Sequence, residues 1–170
     1  GNEMYGDWQL GHMDTGLFVK KHAEFADAMR SVDPDIKLIA VGDPGKWNEM
    51  MLSHNADKMD LISEHFYKQD WHGGGLMSHI KQIPEAIANR AEIHRRYRQD
   101  IPALKDKDIR IAMDEWNYWY GPHSYGELGT RYYLRDALGI AAGINEFSKN
   151  TDIIYMANYA QTVNVIGCIK

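Results

Sequence analysis

Four short apolar runs, at residues 37–42, 60–67, 108–115 and 152–157, alternate with stretches whose apolar residues recur at helical spacing. This alternation limits the fold more than any other feature of the chain. A run such as Leu38-Ile39-Ala40-Val41 has no polar face, which suits a parallel strand covered by helices on both sides. Strands that alternate with helices imply a parallel α/β sheet. Residues 17–32 predict a helix with Leu17, Phe18, Phe25, Ala26 and Met29 on one face. Asp33-Pro34 ends it, because proline disfavours helical backbone in the residue before it. Further helices are expected over 46–55, 78–99 and 127–147. In the second of these, Ile80, Ile83, Ile87 and Ile93 turn to the core, and Pro84 sits near the first turn, where a missing N–H is tolerated. Gly73-Gly74-Gly75 marks a loop, and a long aromatic loop is expected over 116–125. Four βα units make half of an eightfold barrel, with a small doubly wound sheet as the alternative.

The polar residues bear on that choice. In parallel α/β folds the carboxyl ends of the strands carry the site, and in barrels these ends converge. Asp43 alone follows the first run. Glu64, His65 and Tyr67 end the second; Asp114, Glu115, Trp116 and Asn117 end the third; Asn158, Gln161 and Asn164 follow the fourth; Asn2 and Glu3 stand at the start. Glu3 and Glu115 are the sharpest pair. Cleaving a glycosidic bond needs one carboxyl that holds a proton for the leaving oxygen and one that stays ionised, so their environments must separate their pKa values.

Other chemistries fit less well. The net charge of −5 lacks the basic stripe of a nucleic-acid binder. The segment His94-Arg95-Arg96-Tyr97-Arg98 reads as a solvated helix end. One cysteine, Cys168, supports neither a disulfide framework nor a cysteine-rich zinc site, and is compatible with a reducing compartment such as the cytoplasm. No apolar run approaches the ~18 residues of a membrane span, and no signal peptide is visible. There is no His-Glu-x-x-His zinc motif and no Gly-x-Ser-x-Gly elbow. Gly42-Asp43-Pro44-Gly45-Lys46 has the wrong spacing for a phosphate loop, with Trp47 where Ser or Thr is needed. The histidines are scattered, so no metal site is expected. Ten tyrosines and five tryptophans, several beside carboxylates and amides, suit a sugar, whose apolar faces are covered by flat rings.

At these residues the chain resembles the family 51 α-L-arabinofuranosidases. Gly1-Asn2-Glu3-Met4, with Gly6 and Trp8-Gln9, is similar to their acid/base segment. Asp114-Glu115-Trp116-Asn117, with Trp119-Tyr120, is similar to their nucleophile segment. Ser63-Glu64-His65-Phe66-Tyr67 resembles their sixth barrel strand, and Asn158-Tyr159-Ala160-Gln161-Thr162-Val163-Asn164 their eighth. The resemblance implies a fragment of a parallel (β/α)8 TIM barrel of about four βα units, strands five to eight plus the end of strand four. Residues 1–170 would then be a partial catalytic domain, without the N-terminal half-barrel or a C-terminal β-sandwich. It implies Glu3 as acid/base and Glu115 as nucleophile of a retaining enzyme that releases terminal α-L-arabinofuranosyl residues from arabinan- or arabinoxylan-type saccharides. Asn2 would bind the sugar 2-hydroxyl, Tyr67 would orient Glu115 with His65 nearby, Gln161 would bind ring hydroxyls, and Trp8 and Trp119 would border the aglycone. No metal or organic cofactor, nucleic acid or membrane is implied. The expected partners are the saccharide and either the missing half-barrel or a second copy of the chain. The alternatives are another barrel glycosidase of the same clan, a xylosidase or endoglucanase, or a half-barrel that binds carbohydrate or self-assembles without cleaving.

Overall fold

The computed structural model describes residues 1–69, 73–121, 129–163, 166, 167 and 169. Their elements run α1 (Thr15–Val32), β1 (Ile39–Ala40), α2 (Lys46–Asn55), β2 (Leu61–Lys68), α3 (Gly75–Asp100), a 3-10 turn (Pro102–Leu104), β3 (Arg110–Tyr118), α4 (Leu134–Lys149) and β4 (Ile154–Tyr159). The strands form a four-stranded parallel sheet in the order β1-β2-β3-β4, with Ile39 opposite Leu61 in the first pair. The chain divides into two compact units, one of Gly1–Glu64 with Glu92–Ala112 and one of His65–Ala91 with Met113–Lys170.

In the first unit, α1 starts at Asp14, whose carboxylate accepts the Leu17 N–H at 3.0 Å. This is an N-cap of the ordinary kind. Phe18 on α1 meets Trp47 on α2 with ring centroids 4.8 Å apart, and Met51, Leu52, Ile62, Tyr97, Leu104 and Ile109 complete the core. Only Phe18 and Ala26 of the expected apolar face of α1 are buried; Leu17, Phe25 and Met29 stay exposed. β1 is two residues long, not six, because side chains capture the backbone groups that a longer ladder would use. Asp60 accepts the Leu38 N–H at 2.9 Å, and the Trp47 indole donates to the Val41 carbonyl at 2.9 Å. The segment 94–98 is not a solvated face throughout. His94 and Tyr97, three apart on one helical face, turn inward, and Tyr97 Oη accepts the Gly45 N–H at 2.7 Å.

In the second unit, α3, α4, β3 and β4 enclose Ile83, Ile87, Met113, Trp116, Tyr118 and Ile153. α4 lies close to its neighbours at two glycines. A Cβ on Gly143 would sit 2.4 Å from Ile83 Cγ2, and one on Gly139 would sit 2.0 Å from Tyr118 Oη. α3 begins at Gly75, so Pro84 lies inside the helix and not in its first turn. Proline there removes one helical hydrogen bond. The helix expected from residue 127 starts at Leu134. Residues 127 and 128 lie outside the described residues, and Asp136 accepts the Tyr133 N–H at 2.6 Å to open the helix at that point. β3 runs on through Trp116, Asn117 and Tyr118, which were expected in a loop. The Trp119 N–H still donates to the Lys68 carbonyl at 3.0 Å, so the ladder continues past Glu115. The part of that loop over 122–125, with Asn164 and Cys168, lies outside the described residues.

Candidate active site

Glu3 belongs to the first unit, in a turn closed by the Gly6 N–H donating to its carbonyl at 2.8 Å. Its φ of 44° is left-handed, uncommon for a residue with a side chain. Trp8 lies over Gly6, where a Cβ would meet the indole at 2.3 Å, and its Nε1–H donates to Glu3 Oε2 at 2.8 Å. Tyr5 donates to Glu3 as well, and burial together with the carboxylates of Glu3, Asp43 and Glu64 pushes the Tyr5 phenol well above its ordinary range. The segment is tied down by the Met13 N–H, which donates to the Met4 carbonyl at 3.1 Å, and by Met4 and Tyr5 against the core. Asn2 is exposed.

Glu64 is also in the first unit, but it has a different task. It is fully buried and accepts from Asn48 Nδ2 and His94 Nε2, both at 2.7 Å. Asn48 in turn accepts the Asp43 N–H at 2.8 Å. This is a buried hydrogen-bonded cluster, which holds α2, β2 and α3 together. Sequence reasoning grouped Glu64 with the site and missed Asn48 and His94. Their helical positions carried no signal of the pairing.

In the second unit, Glu115 stands within β3. His65 Nδ1 lies 2.9 Å from Glu115 Oε2, and His65 Nε2 lies 3.0 Å from Asp114 Oδ1. The Glu115 carboxyl is held below its usual range. The His65 hydrogen bond is the largest cause, opposed by burial, and the His65 charge and a bond from Tyr67 add to it. Trp119 packs edge-on against Tyr67 with centroids 5.8 Å apart, and its Nε1–H has no acceptor among the described residues. Within this unit the structure therefore brings together His65, Tyr67, Glu115 and Trp119. Gln161 is exposed on the chain after β4, and the residue before it is tied to β3 by the Ala160 N–H donating to the Trp116 carbonyl at 3.2 Å. Asp114 touches His65 and was not assigned a role by the sequence reading. His65 and Tyr67 prove to lie within β2, and Asp114, Glu115, Trp116 and Asn117 within β3.

Comparison with known proteins fixes the family. The model of the α-L-arabinofuranosidase C-terminal domain matches residues 114–170. The intracellular exo-α-(1→5)-L-arabinofuranosidase of Streptomyces lividans is 29% identical over 195 residues, covering 99% of this chain and 28% of that protein. A crystal structure of an arabinofuranosidase superposes with a TM-score of 0.87 at 33% identity, covering 98% of this chain and 34% of that one. The α-L-arabinofuranosidase of Thermotoga maritima in complex with arabinose gives 0.83 at 34% identity, with the same coverage. The chain belongs to the family 51 α-L-arabinofuranosidases. It spans about a third of the length of the family members it matches. Its Glu115 falls inside the matched C-terminal region, while Glu3, Trp8, His65 and Tyr67 precede it. No helix among the described residues is long and apolar enough to cross a membrane.

Proposed function

We propose that this chain supplies both carboxylates of a retaining, exo-acting α-L-arabinofuranosidase. The observation that carries the reading is Glu115, a half-buried carboxylate kept ionised by His65 and Tyr67 on a rigid strand. A nucleophile needs that state. Glu115 attacks the anomeric carbon while the glycosidic C–O bond breaks and Glu3 gives its proton to the leaving oxygen. Water then attacks the arabinosyl ester, Glu3 takes back a proton, and arabinose leaves with Glu115 again a carboxylate. Retention by this route needs the two carboxyls about 5–5.5 Å apart. The donors from Trp8 and Tyr5 orient Glu3. Asn2, Gln161 and Trp119 bind the sugar and its aglycone, and the substrates are arabinose-containing oligo- or polysaccharides.

The chain is read as the C-terminal half of a (β/α)8 barrel. Two apolar grooves support that reading. One, of about 420 Å³, runs past Met4, Phe25, Met29 and Ile39 in the first unit. The other, of about 690 Å³, runs past Trp116, Leu134, Ile140, Ile144 and Tyr159 in the second. Grooves of this character are rarely left bare, so each is covered by the preceding half-barrel or by a second copy. A stable monomer of 19.5 kDa in solution would contradict this pairing.

The test of function is hydrolysis of an aryl α-L-arabinofuranoside by the chain, with Glu115→Ala beside it and the product anomer read by proton NMR. Turnover with retention, lost in Glu115→Ala, is the expected result. Turnover that survives in Glu115→Ala, or an inverted product, overturns the assignment. Faster hydrolysis of an aryl β-D-xyloside favours another glycosidase of the same clan.

A further inference from the structure

Asn117 has no part in the steps above, yet it is fully buried and completely engaged. Its Nδ2 donates to Tyr132 Oη at 2.8 Å, to the Ile166 carbonyl at 3.0 Å and to the Ala160 carbonyl, and its Oδ1 accepts the Tyr118 N–H at 2.7 Å. Tyr132 Oη lies 2.6 Å from the Ile166 carbonyl and 3.0 Å from that of Tyr118. An amide has two N–H bonds to give, and here three acceptors, Tyr132 Oη and the carbonyls of Ala160 and Ile166, share them. Gln161 follows Ala160 directly. Its neighbour Thr162 is secured separately, with its carbonyl accepting the Ile169 N–H at 3.0 Å.

We propose that Asn117 is a positioning residue, which together with Tyr132 fastens the carbonyls of Ala160 and Ile166, on either side of Gln161, to the strand that carries Glu115. Glu115 and Asn117 are two residues apart, on one face of β3 and about 7 Å apart along it. The fastening therefore fixes the Gln161 amide relative to the Glu115 carboxylate before the sugar arrives. An exposed glutamine on a loose segment would lose backbone freedom on binding, and a fastened one has already lost it. The effect falls on substrate binding. Aspartate has nearly the same shape as asparagine but cannot donate to the carbonyls of Ala160 and Ile166. This inference rests on reading Gln161 as a ligand of the arabinose ring.

The experiment uses the whole chain and the variants Asn117→Asp, Tyr132→Phe and Gln161→Ala. KM and kcat are measured on an aryl α-L-arabinofuranoside, and amide hydrogen exchange is followed in peptides covering 159–163 and 110–116. Asn117→Asp is expected to raise KM about tenfold, the scale of one lost buried hydrogen bond, with kcat changed much less. Exchange should accelerate in 159–163 and not in 110–116. Tyr132→Phe should move both readouts the same way by a smaller factor, and it decides the matter if Asn117→Asp does not fold. Gln161→Ala should raise KM in the native background and add little in Asn117→Asp. If Gln161→Ala raises KM while Asn117→Asp and Tyr132→Phe leave it unchanged, the inference fails and the proposed function stands. If Gln161→Ala itself leaves KM unchanged, the reading of Gln161 fails and takes the inference with it.

Discussion

The close approach of α4 to β3 can be tested by adding one methyl group. In Gly139→Ala the new Cβ would lie 2.0 Å from Tyr118 Oη and 2.8 Å from two of its ring carbons. Helix propensity alone favours alanine by about 1 kcal/mol. Tyr118 has nowhere to retreat. It is fully buried, its ring stacks on His79 with centroids 4.3 Å apart and 13° between planes, and its hydroxyl donates to the His79 carbonyl at 2.7 Å. His79 is itself held at 2.7 Å by the buried Asp136. Forcing the ring aside costs roughly 1–3 kcal/mol for overpacking. Losing the hydroxyl bond in a buried place costs roughly 1–3 kcal/mol more. The balance is a destabilisation of about 3 kcal/mol within a range of roughly 1–5. At about 2–4 °C per kcal/mol for a chain of this size, the melting temperature should fall by roughly 6–12 °C.

Thermal melts followed by circular dichroism measure the change, with Tyr118→Phe as the second arm of a double-mutant cycle. Removing the hydroxyl removes the closest contact and the bond it would lose, so Gly139→Ala should cost about 2 kcal/mol less in the Tyr118→Phe background. A melting temperature that stays level or rises in Gly139→Ala would refute the reasoning, since propensity would then have outweighed packing. An equal cost in both backgrounds would show that the Tyr118 hydroxyl is not the obstacle.

Two further outcomes are expected. The depressed carboxyl of Glu115 contributes stability that is complete above the ordinary carboxyl range and is lost as pH falls through its folded-state value. His65→Phe removes the main cause of the depression, so the Glu115 titration, followed by carbon NMR, and the acid limb of kcat/KM should both move to higher pH; an unmoved titration would contradict the assignment of cause. His94→Phe takes a donor from the buried Glu64 and should cost about 1–3 kcal/mol in urea unfolding; a loss under about 0.5 kcal/mol would mean that this bond does not hold the first unit together.

The order of helices and strands was legible from periodicity, and α2 falls on the residues expected, 46–55. The errors have local physical causes. β1 is shortened by Asp60 and Trp47, which lie outside the strand and compete for its flanking backbone groups. α3 starts three residues early because Gly75, which reads as a breaker, takes the positive φ of 79° from which the helix begins. α4 starts late because Tyr132 and Tyr133, compatible with a helix by propensity, are committed elsewhere through a hydroxyl and an N–H. The candidate site was partly legible. Glu115 with His65 and Tyr67 follows from strand-end polarity and motif. The bond from Trp8 to Glu3 depends on a turn of residues 3–8 that passes over Gly6, which no periodicity encodes.

The run Glu64-His65-Phe66-Tyr67 explains why polarity at a strand end under-determines a site. Successive side chains of a strand point to opposite faces, so one residue separates two unrelated environments. Glu64 turns to Asn48 and His94 and is fully buried. His65 turns to Glu115, and Tyr67 bonds the same carboxylate. Phe66 falls back on the first face, under the Arg90 guanidinium 4.9 Å from its ring. In sequence, Glu64 stands in the same polar run as His65 and Tyr67. In the fold it is the member least able to meet a substrate, because it is fully buried and its Oε1 faces structural donors. A slip of one residue in the register of β2 would exchange these roles. The buried acid Glu64, held by Asn48 and His94, therefore also keeps His65 and Tyr67 turned towards Glu115, because the pairing at Glu64 makes the slipped register costly.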